Sequence, residues 1–182
     1  MYNPSPLSDQ EIAAGFIDKD QFEFIEIMNI GENSTNLQGV RFINGIDYEF
    51  QSSIVLDPGG RPIIAKDRLA FLTRYPDKSG SLASGNFKNG TSLSNGGERL
   101  HLIDLATNNI KEFSFDDKSP WPEKADGEGF SLVLIQPQTN PNHSIFNNWA
   151  ISASIGGSPG NEDPNELFNP ANTDDDKDGL KY

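Results

Sequence analysis

The chain has 182 residues, a length that suits one domain with a real hydrophobic core, although only 35% of the residues are apolar. A formal net charge of −13, from 27 acidic and 14 basic residues without any basic cluster, argues against nucleic-acid binding. The absence of Cys excludes disulfides and thiolate metal sites, and no apolar run approaches the ~20 residues that membrane insertion of a helix requires.

The first 21 residues are predicted to form an N-terminal extension outside the main domain. Residues 2–8 are rich in Pro and favour an extended chain. A short helix is predicted over residues 9–15, with Ser8 or Asp9 as its N-cap and Gly15 at its end.

Residues 22–160 are predicted to form the domain, because alternating apolar and polar residues recur there in short runs. A helix of one or two turns is expected at residues 68–75, where Asp67 is the cap. Its inward-facing residues are predicted to be Leu69 and Leu72, with Phe71 as a further candidate. The predicted strands lie at residues 22–30, 37–43, 46–50, 62–65, 85–88, 99–103, 110–115, 130–135 and 149–152.

Short strands that turns connect, without alternating helices, indicate an all-β sandwich or barrel. About seven to nine strands with one or two short helices fit an immunoglobulin-like β-sandwich best. Two packed sheets would bury the period-2 apolar positions of the separate strands. Those positions are Phe24, Ile25, Ile27, Val40, Phe42, Leu100, Leu102, Phe113, Leu132, Leu134 and Trp149.

Seven segments, in order along the chain, carry a resemblance to a known family. They are FEFIEIMNIG (22–31), LQGVRF (37–42), LDPGG (56–60), DRLAFLTRY (67–75), LSNGGERLHLID (93–104), PWPEKADGEGFSLVLI (120–135) and NWAISASIGGSPG (148–160). Together they resemble the bacterial branch of the lamin-tail domain (LTD) family over roughly residues 22–160.

This resemblance implies an immunoglobulin-like sandwich without catalytic activity. Bacterial members are typically modules of large exported proteins, beside hydrolases or surface-anchoring parts. We therefore expect a secreted or cell-surface location and a protein or a cell-surface component as the partner. Nuclear-envelope relatives contact proteins and sometimes DNA, but the acidity of this chain argues against a DNA role.

Residues 161–182 are predicted to be an acidic tail with a partial calcium loop. Asp174, Asp176 and Asp178, with Gly179, fit D-x-D-x-D-G and are similar to thrombospondin type 3 and EF-hand-like loops. Alternate Asp side chains offer a hard cation several oxygens, and Gly permits the sharp turn. Such a loop also needs a carboxylate near its twelfth position, beyond Tyr182, so we expect the exported protein to continue.

Catalytic candidates are few. His101 alternates with leucines on a strand and His143 lies in a polar loop, so a solvent-facing role is expected for both, without zinc-ligand or nucleophile spacing. Glu98 with Asp104, or Asp116 with Asp117, could form carboxylate pairs, but acidic residues are common throughout this chain. The chain is therefore predicted not to be an enzyme.

Two tryptophans are candidates for ligand stacking. Trp149 lies among Ala and Ile in a predicted strand, which favours core packing. Trp121 lies between two prolines in a loop and could either stack on a sugar or cover an edge of the core. The residues 126–129 could hold a cation, although a polar turn is the more frequent outcome.

The sequence thus predicts a non-catalytic accessory or interaction module of an exported bacterial protein, which mediates protein or surface attachment. The alternative is a carbohydrate-binding module with Trp121 at its site, and a hydrolase comes third.

Calcium should bind weakly to Asp174, Asp176 and Asp178 in the 182-residue chain. A terminal segment loses its full conformational entropy on binding, and the bidentate carboxylate of the loop is missing. Calorimetric titration with calcium should give tighter binding to a chain extended by about twenty native residues, which complete the coordination shell. Micromolar binding by the shorter chain would contradict the incomplete-loop hypothesis.

Overall fold

The computed structural model describes residues 1–167, and strands outnumber helices in it. Ten short strands form four small sheets in this range, and all named strand pairs are antiparallel. The predicted β-rich class is therefore confirmed. None of the helices within this range is long and apolar enough to cross a membrane.

The strands are β1 (Phe24–Glu26), β2 (Thr35–Asn36), β3 (Arg41–Asn44), β4 (Tyr48–Glu49), β5 (Val55–Leu56), β6 (Ile63–Ala65), β7 (Glu98–Ile103), β8 (Asn109–Phe115), β9 (Leu132–Leu134) and β10 (Trp149–Ile151). The α-helices are α1 (Asp9–Ala13) and α2 (Arg68–Arg74). Single 3-10 turns occur at Lys19–Phe22, Pro76–Lys78, Glu123–Ala125, Pro137–Thr139, Phe146–Asn148 and Pro164–Leu167.

The largest sheet has the strand order β4–β3–β7–β8. β7 and β8 form a hairpin in which Leu100 is paired with Phe113. The turn is closed by Asp104, whose Oδ1 accepts a hydrogen bond of 2.7 Å from the backbone N–H of Asn108. Side chains alternate between faces, so the hairpin buries Leu100 and Leu102 together on one face.

The other sheets are the two-stranded pairs β1–β6, β2–β5 and β9–β10. The strand predicted at residues 22–30 is shortened to β1, because the chain beyond it pairs irregularly. There the Ile27 N–H donates to the Pro62 carbonyl at 3.3 Å. The strand predicted at residues 85–88 is wrong, since this segment is irregular while Phe87 is buried.

Side chains from all four sheets meet in one main core cluster. Its buried members are Tyr2, Leu37, Val40, Phe42, Ile46, Tyr48, Phe50, Leu56, Ile64, Ala83, Phe87, Leu93, Leu100, Leu102, Phe115 and Ala125. Phe24 is buried in a second cluster beside α2. Of the other predicted core positions, six are only half-buried: Ile25, Ile27, Phe113, Leu132, Leu134 and Trp149.

Both predicted helices are confirmed, and their caps follow from the sequence. Ser8 begins α1 with a capping box, in which its backbone N–H donates to Glu11 Oε2 at 2.8 Å. Asp67 caps α2 by accepting from the backbone N–H of Leu69 at 2.8 Å. The prediction that Leu69 faces inward is wrong, because this residue is 70% exposed. Phe71 lies on the buried face of α2 instead.

The first 21 residues are not detached from the domain as the predicted extension would be. The Tyr2 ring lies 5.0 Å from that of Phe115 in the main cluster. The Phe16 and Phe22 rings, 5.1 Å apart, form a third cluster with Ala70 of α2. Burial of these aromatic side chains joins the N-terminal segment to the rest of the core.

The described part of the predicted tail, residues 161–167, is also ordered against the domain. Asp163 is buried and accepts hydrogen bonds from the Ala153 N–H at 3.0 Å and the Ser158 hydroxyl at 2.7 Å. Glu166 is buried as well, in an ion pair with Arg61. Polar side chains rather than apolar ones therefore anchor residues 161–167.

Leu102→Ala should lower the free energy of unfolding by about 2–5 kcal/mol, because Leu102 is only 6% exposed and its removal leaves a cavity. Urea unfolding monitored by circular dichroism measures this loss. Ile43→Ala is the matched control, since Ile43 lies on the neighbouring strand β3 and is 53% exposed. Equal losses in the two variants would contradict the burial of this sheet face.

Candidate functional site

Four half-buried rings lie together between β8 and β10, and we call them the aromatic cluster: Phe113, Trp121, His143 and Trp149. The Trp149 ring centroid lies 5.7 Å from Phe113, 5.7 Å from His143 and 6.3 Å from Trp121. The sequence predicts separate roles for Trp121 and Trp149, whereas the fold brings the two rings together. Trp121 also packs against the main core, which is the edge-covering role predicted for it as one of two outcomes.

Hydrogen bonds fix the orientation of two of these rings. Trp149 Nε1 donates to the His143 carbonyl at 2.7 Å, and His143 Nδ1 lies 2.7 Å from the Pro141 carbonyl oxygen. Burial lowers the pKa of His143, so its imidazole is neutral at neutral pH. His143 is thus held in the cluster and is not the solvated loop residue that the sequence predicts.

The aromatic cluster borders a cavity of about 410 Å³, which we call the interior cavity. Leu100, Leu102 and Leu132 contribute to its apolar wall, and Lys111 and Asn140 contribute polar groups. Lys111 Nζ donates to Asn140 Oδ1 at 2.5 Å. A cavity of this size lies within the range of roughly 300–1,000 Å³ that is typical of ligand sites.

A second concave surface lies at the turn end of the β7–β8 hairpin, and we call it the Leu105 groove. Its apolar residues include Ile30, Leu37, Leu105 and Ile110. Leu105 is 69% exposed, yet it lies so close to the backbone of Gly39 that a Cβ there would be 2.6 Å from Leu105 Cδ1. An exposed apolar side chain that is held against a glycine provides a fixed contact surface.

Buried charges near the interior cavity are paired with one another. Arg61 binds Glu166 through two hydrogen bonds, of 2.8 and 2.6 Å, and also contacts Glu26 at 3.1 Å. Glu26 in turn accepts from the Gly160 N–H at 2.5 Å. Sequence reasoning missed this network, because nothing in the local pattern distinguishes these carboxylates from the many exposed ones.

Glu23 was missed in the same way, although its side chain is fully buried. Its carboxylate accepts from the Leu93 N–H at 2.8 Å and lies 3.4 Å from Lys66 Nζ. Burial raises the pKa of Glu23 to about 7, while the Leu93 N–H and the Lys66 charge oppose that rise. The one sequence signal for the burial of Glu23 is its position between Phe22 and Phe24.

The carboxylates of the predicted pairs accept hydrogen bonds from residues nearby in the sequence. Glu98 accepts from the Ser94 N–H at 2.8 Å, and burial raises the pKa of its carboxyl. Hydrogen bonds from Asn108 lower the pKa of Asp104. Asp116 accepts from the Lys118 N–H at 3.1 Å.

The remaining predicted polar candidates have structural neighbours too. Asp126, considered for cation binding, accepts from Asn3 Nδ2 at 2.5 Å. His101 is half-buried, and its Nε2 lies 3.9 Å from Glu112 Oε2 on the paired strand. Its predicted place on a strand is confirmed, but its side chain is covered more than a solvent-facing role requires.

Residues 1–167 contain no group of three or more His, Asp or Glu side chains placed to hold a metal ion. Asp174, Asp176 and Asp178 lie outside the described residues, so the calcium loop stays a prediction.

Comparisons of the chain with protein-family models, curated proteins and solved structures find no match. The geometry of the aromatic cluster, the interior cavity and the Leu105 groove is therefore the basis for a functional assignment.

Glu23→Gln should change how stability depends on pH. A carboxyl whose folded pKa is raised from 4.5 to about 7 contributes stability below pH 4.5 that is lost as the pH rises to 7. The stability of the native protein relative to the variant should fall by roughly 3 kcal/mol between pH 4 and pH 8. Urea unfolding across this range measures the difference.

Glu32→Gln is the control, because Glu32 is exposed. Its unfolding free energy should follow that of the native protein at each pH. A Glu23→Gln curve that runs parallel to the native one would contradict the assigned pKa.

Proposed function

We propose that this chain is a non-catalytic interaction module of a larger exported bacterial protein, secreted or held at the cell surface. We further propose that it is an immunoglobulin-like sandwich of the lamin-tail kind. What supports this fold is the β4–β3–β7–β8 sheet and a main core to which all the smaller sheets contribute. Its target is a protein or another component of the cell surface.

The observation that carries the proposal is the Leu105 groove. Ile30, Leu105 and Ile110 are exposed there above the buried side chains of Leu37 and Val40. Clustered exposed apolar residues are typical of protein interaction sites rather than of inert surface. Since the groove lies on strand ends and on a turn fixed by Asp104, it needs little rearrangement to bind a partner.

The partners of the buried and half-buried carboxylates favour binding over catalysis. Within the described chain, Glu11 is bound by Arg74 at 2.7 Å, Glu26 and Glu166 by Arg61, and Glu23 by the Leu93 N–H. A general acid or base needs a reactive atom within reach of substrate. These carboxylates are instead engaged by partners that hold separate elements together.

Carbohydrate binding is the second candidate, and the contact between Trp121 and Trp149 favours it. Two neighbouring indole rings at the surface can stack on sugar rings. The amide side chains of Asn140 and Asn142 lie on the same loop as His143 and could add hydrogen bonds.

The double variant Leu105→Asp, Ile110→Asp should bind at least tenfold less to washed cells of the encoding bacterium than the native protein does. Retention of the fluorescently labelled protein on the cells measures this binding. A carboxylate in the groove would have to lose its hydration when the partner binds, and this cost weakens the apolar contact. Ile17→Asp is the matched control, since Ile17 is 91% exposed and lies outside the groove. Thermal unfolding checks that all variants remain folded.

Protease treatment of the cells distinguishes the two candidates. Loss of retention after treatment, together with dependence on the Leu105 groove, supports a protein partner. Retention that survives treatment and is lost in Trp121→Ala would replace the proposal with carbohydrate binding. Full retention of the Leu105 and Ile110 double variant would contradict the groove assignment.

A further inference from the structure

The interior cavity is open to solvent on one side, since its wall includes the exposed residues Ile30 and Ile110. Here about 410 Å³ is open between β1, the β7–β8 hairpin and the β9–β10 pair. Half-buried apolar side chains such as Ile25, Leu132 and Leu134 line it. These are the predicted core positions that the protein itself leaves incompletely covered.

The wall of the cavity combines apolar area with unsatisfied hydroxyl groups. Tyr2 and Ser131 both line it, and neither Tyr2 OH nor Ser131 Oγ has a hydrogen-bond partner within the described chain. Both side chains are buried. Buried polar groups are normally paired, so water that enters the cavity is the expected partner of these two hydroxyls.

Among residues 1–167, Lys111 is a cation on the cavity wall without an acidic partner. Its Nζ contacts the neutral amide oxygen of Asn140. Burial lowers the pKa of Lys111, which a negative partner would reverse. Arg61, by contrast, is already engaged by Glu26 and Glu166.

We propose that the interior cavity binds a long-chain carboxylic acid, with the acyl chain between the sheets and the carboxylate at Lys111. This inference goes beyond the attachment role, because Lys111 and Ser131 are not part of the Leu105 groove. The acyl chain would cover the half-buried leucines, a gain of about 25 cal/mol for each Å² removed from water. Glu26, Asp163 and Glu166 also line the cavity, and their charges are engaged by Arg61 or by the Ala153 N–H and the Ser158 hydroxyl.

Titration of the full chain with dodecanoic acid and with 1-dodecanol tests the proposal. Trp149 lines the cavity, so quenching or enhancement of intrinsic fluorescence reports binding. The acid should bind saturably at one site, and at least tenfold more tightly than the alcohol, because a charged hydrogen bond is lost with the alcohol. No saturable binding of the acid, or equal affinity for both compounds, would overturn the proposal.

Two variants locate the site. Lys111→Met should lower the affinity for the acid at least tenfold and leave the affinity for the alcohol unchanged. Lys118→Met, which replaces an exposed lysine, should change neither affinity. Leu132→Trp should occupy part of the cavity and weaken binding of both compounds while thermal unfolding stays cooperative. An unchanged affinity for the acid in Lys111→Met would overturn the placement of the carboxylate, even if Leu132→Trp does not fold.

Discussion

Burial of one face of the β4–β3–β7–β8 sheet is the constraint on which the other parts of the molecule depend. Leu100 and Leu102 enter the main core from β7, and Leu102 also lines both the interior cavity and the Leu105 groove. Because side chains alternate along a strand, a shift of one residue would place Arg99 and His101 where these leucines lie. The register of a single hairpin therefore fixes the core and positions both candidate binding surfaces.

Local sequence signals predicted much of this fold. The caps at Ser8 and Asp67 and the period-2 alternation around Leu100 act within a few residues, and the structure contains each of them. Leu69 was placed on the wrong face because periodicity alone does not reveal that Phe71 packs on Phe24. That choice depends on a tertiary contact between distant segments, which no short window of sequence contains.

The candidate sites were less predictable than the fold, because they form where distant segments meet. Trp121 and Trp149 were recognised singly, but their contact and the cavity beside them depend on how β9 and β10 lie against the hairpin. The buried carboxylates illustrate the same limit. In a chain of net charge −13, Glu26 and Glu166 resemble every other acidic residue until folding supplies their partners.

The ion pairs of Arg61 also bear on the order in which the chain can fold. Glu26 accepts a hydrogen bond from the N–H of Gly160, which is 134 residues away in sequence, and Arg61 is separated from Glu166 by 105 residues. Contacts between residues so far apart in sequence form late in folding, because closing a long loop lowers the conformational entropy of the chain before the contact can stabilise it. During synthesis β1 and Arg61 leave the ribosome well before Gly160, so their charges stay hydrated until the C-terminal segment arrives. The final described turn thus supplies the last partner of a charged group that also binds the first strand.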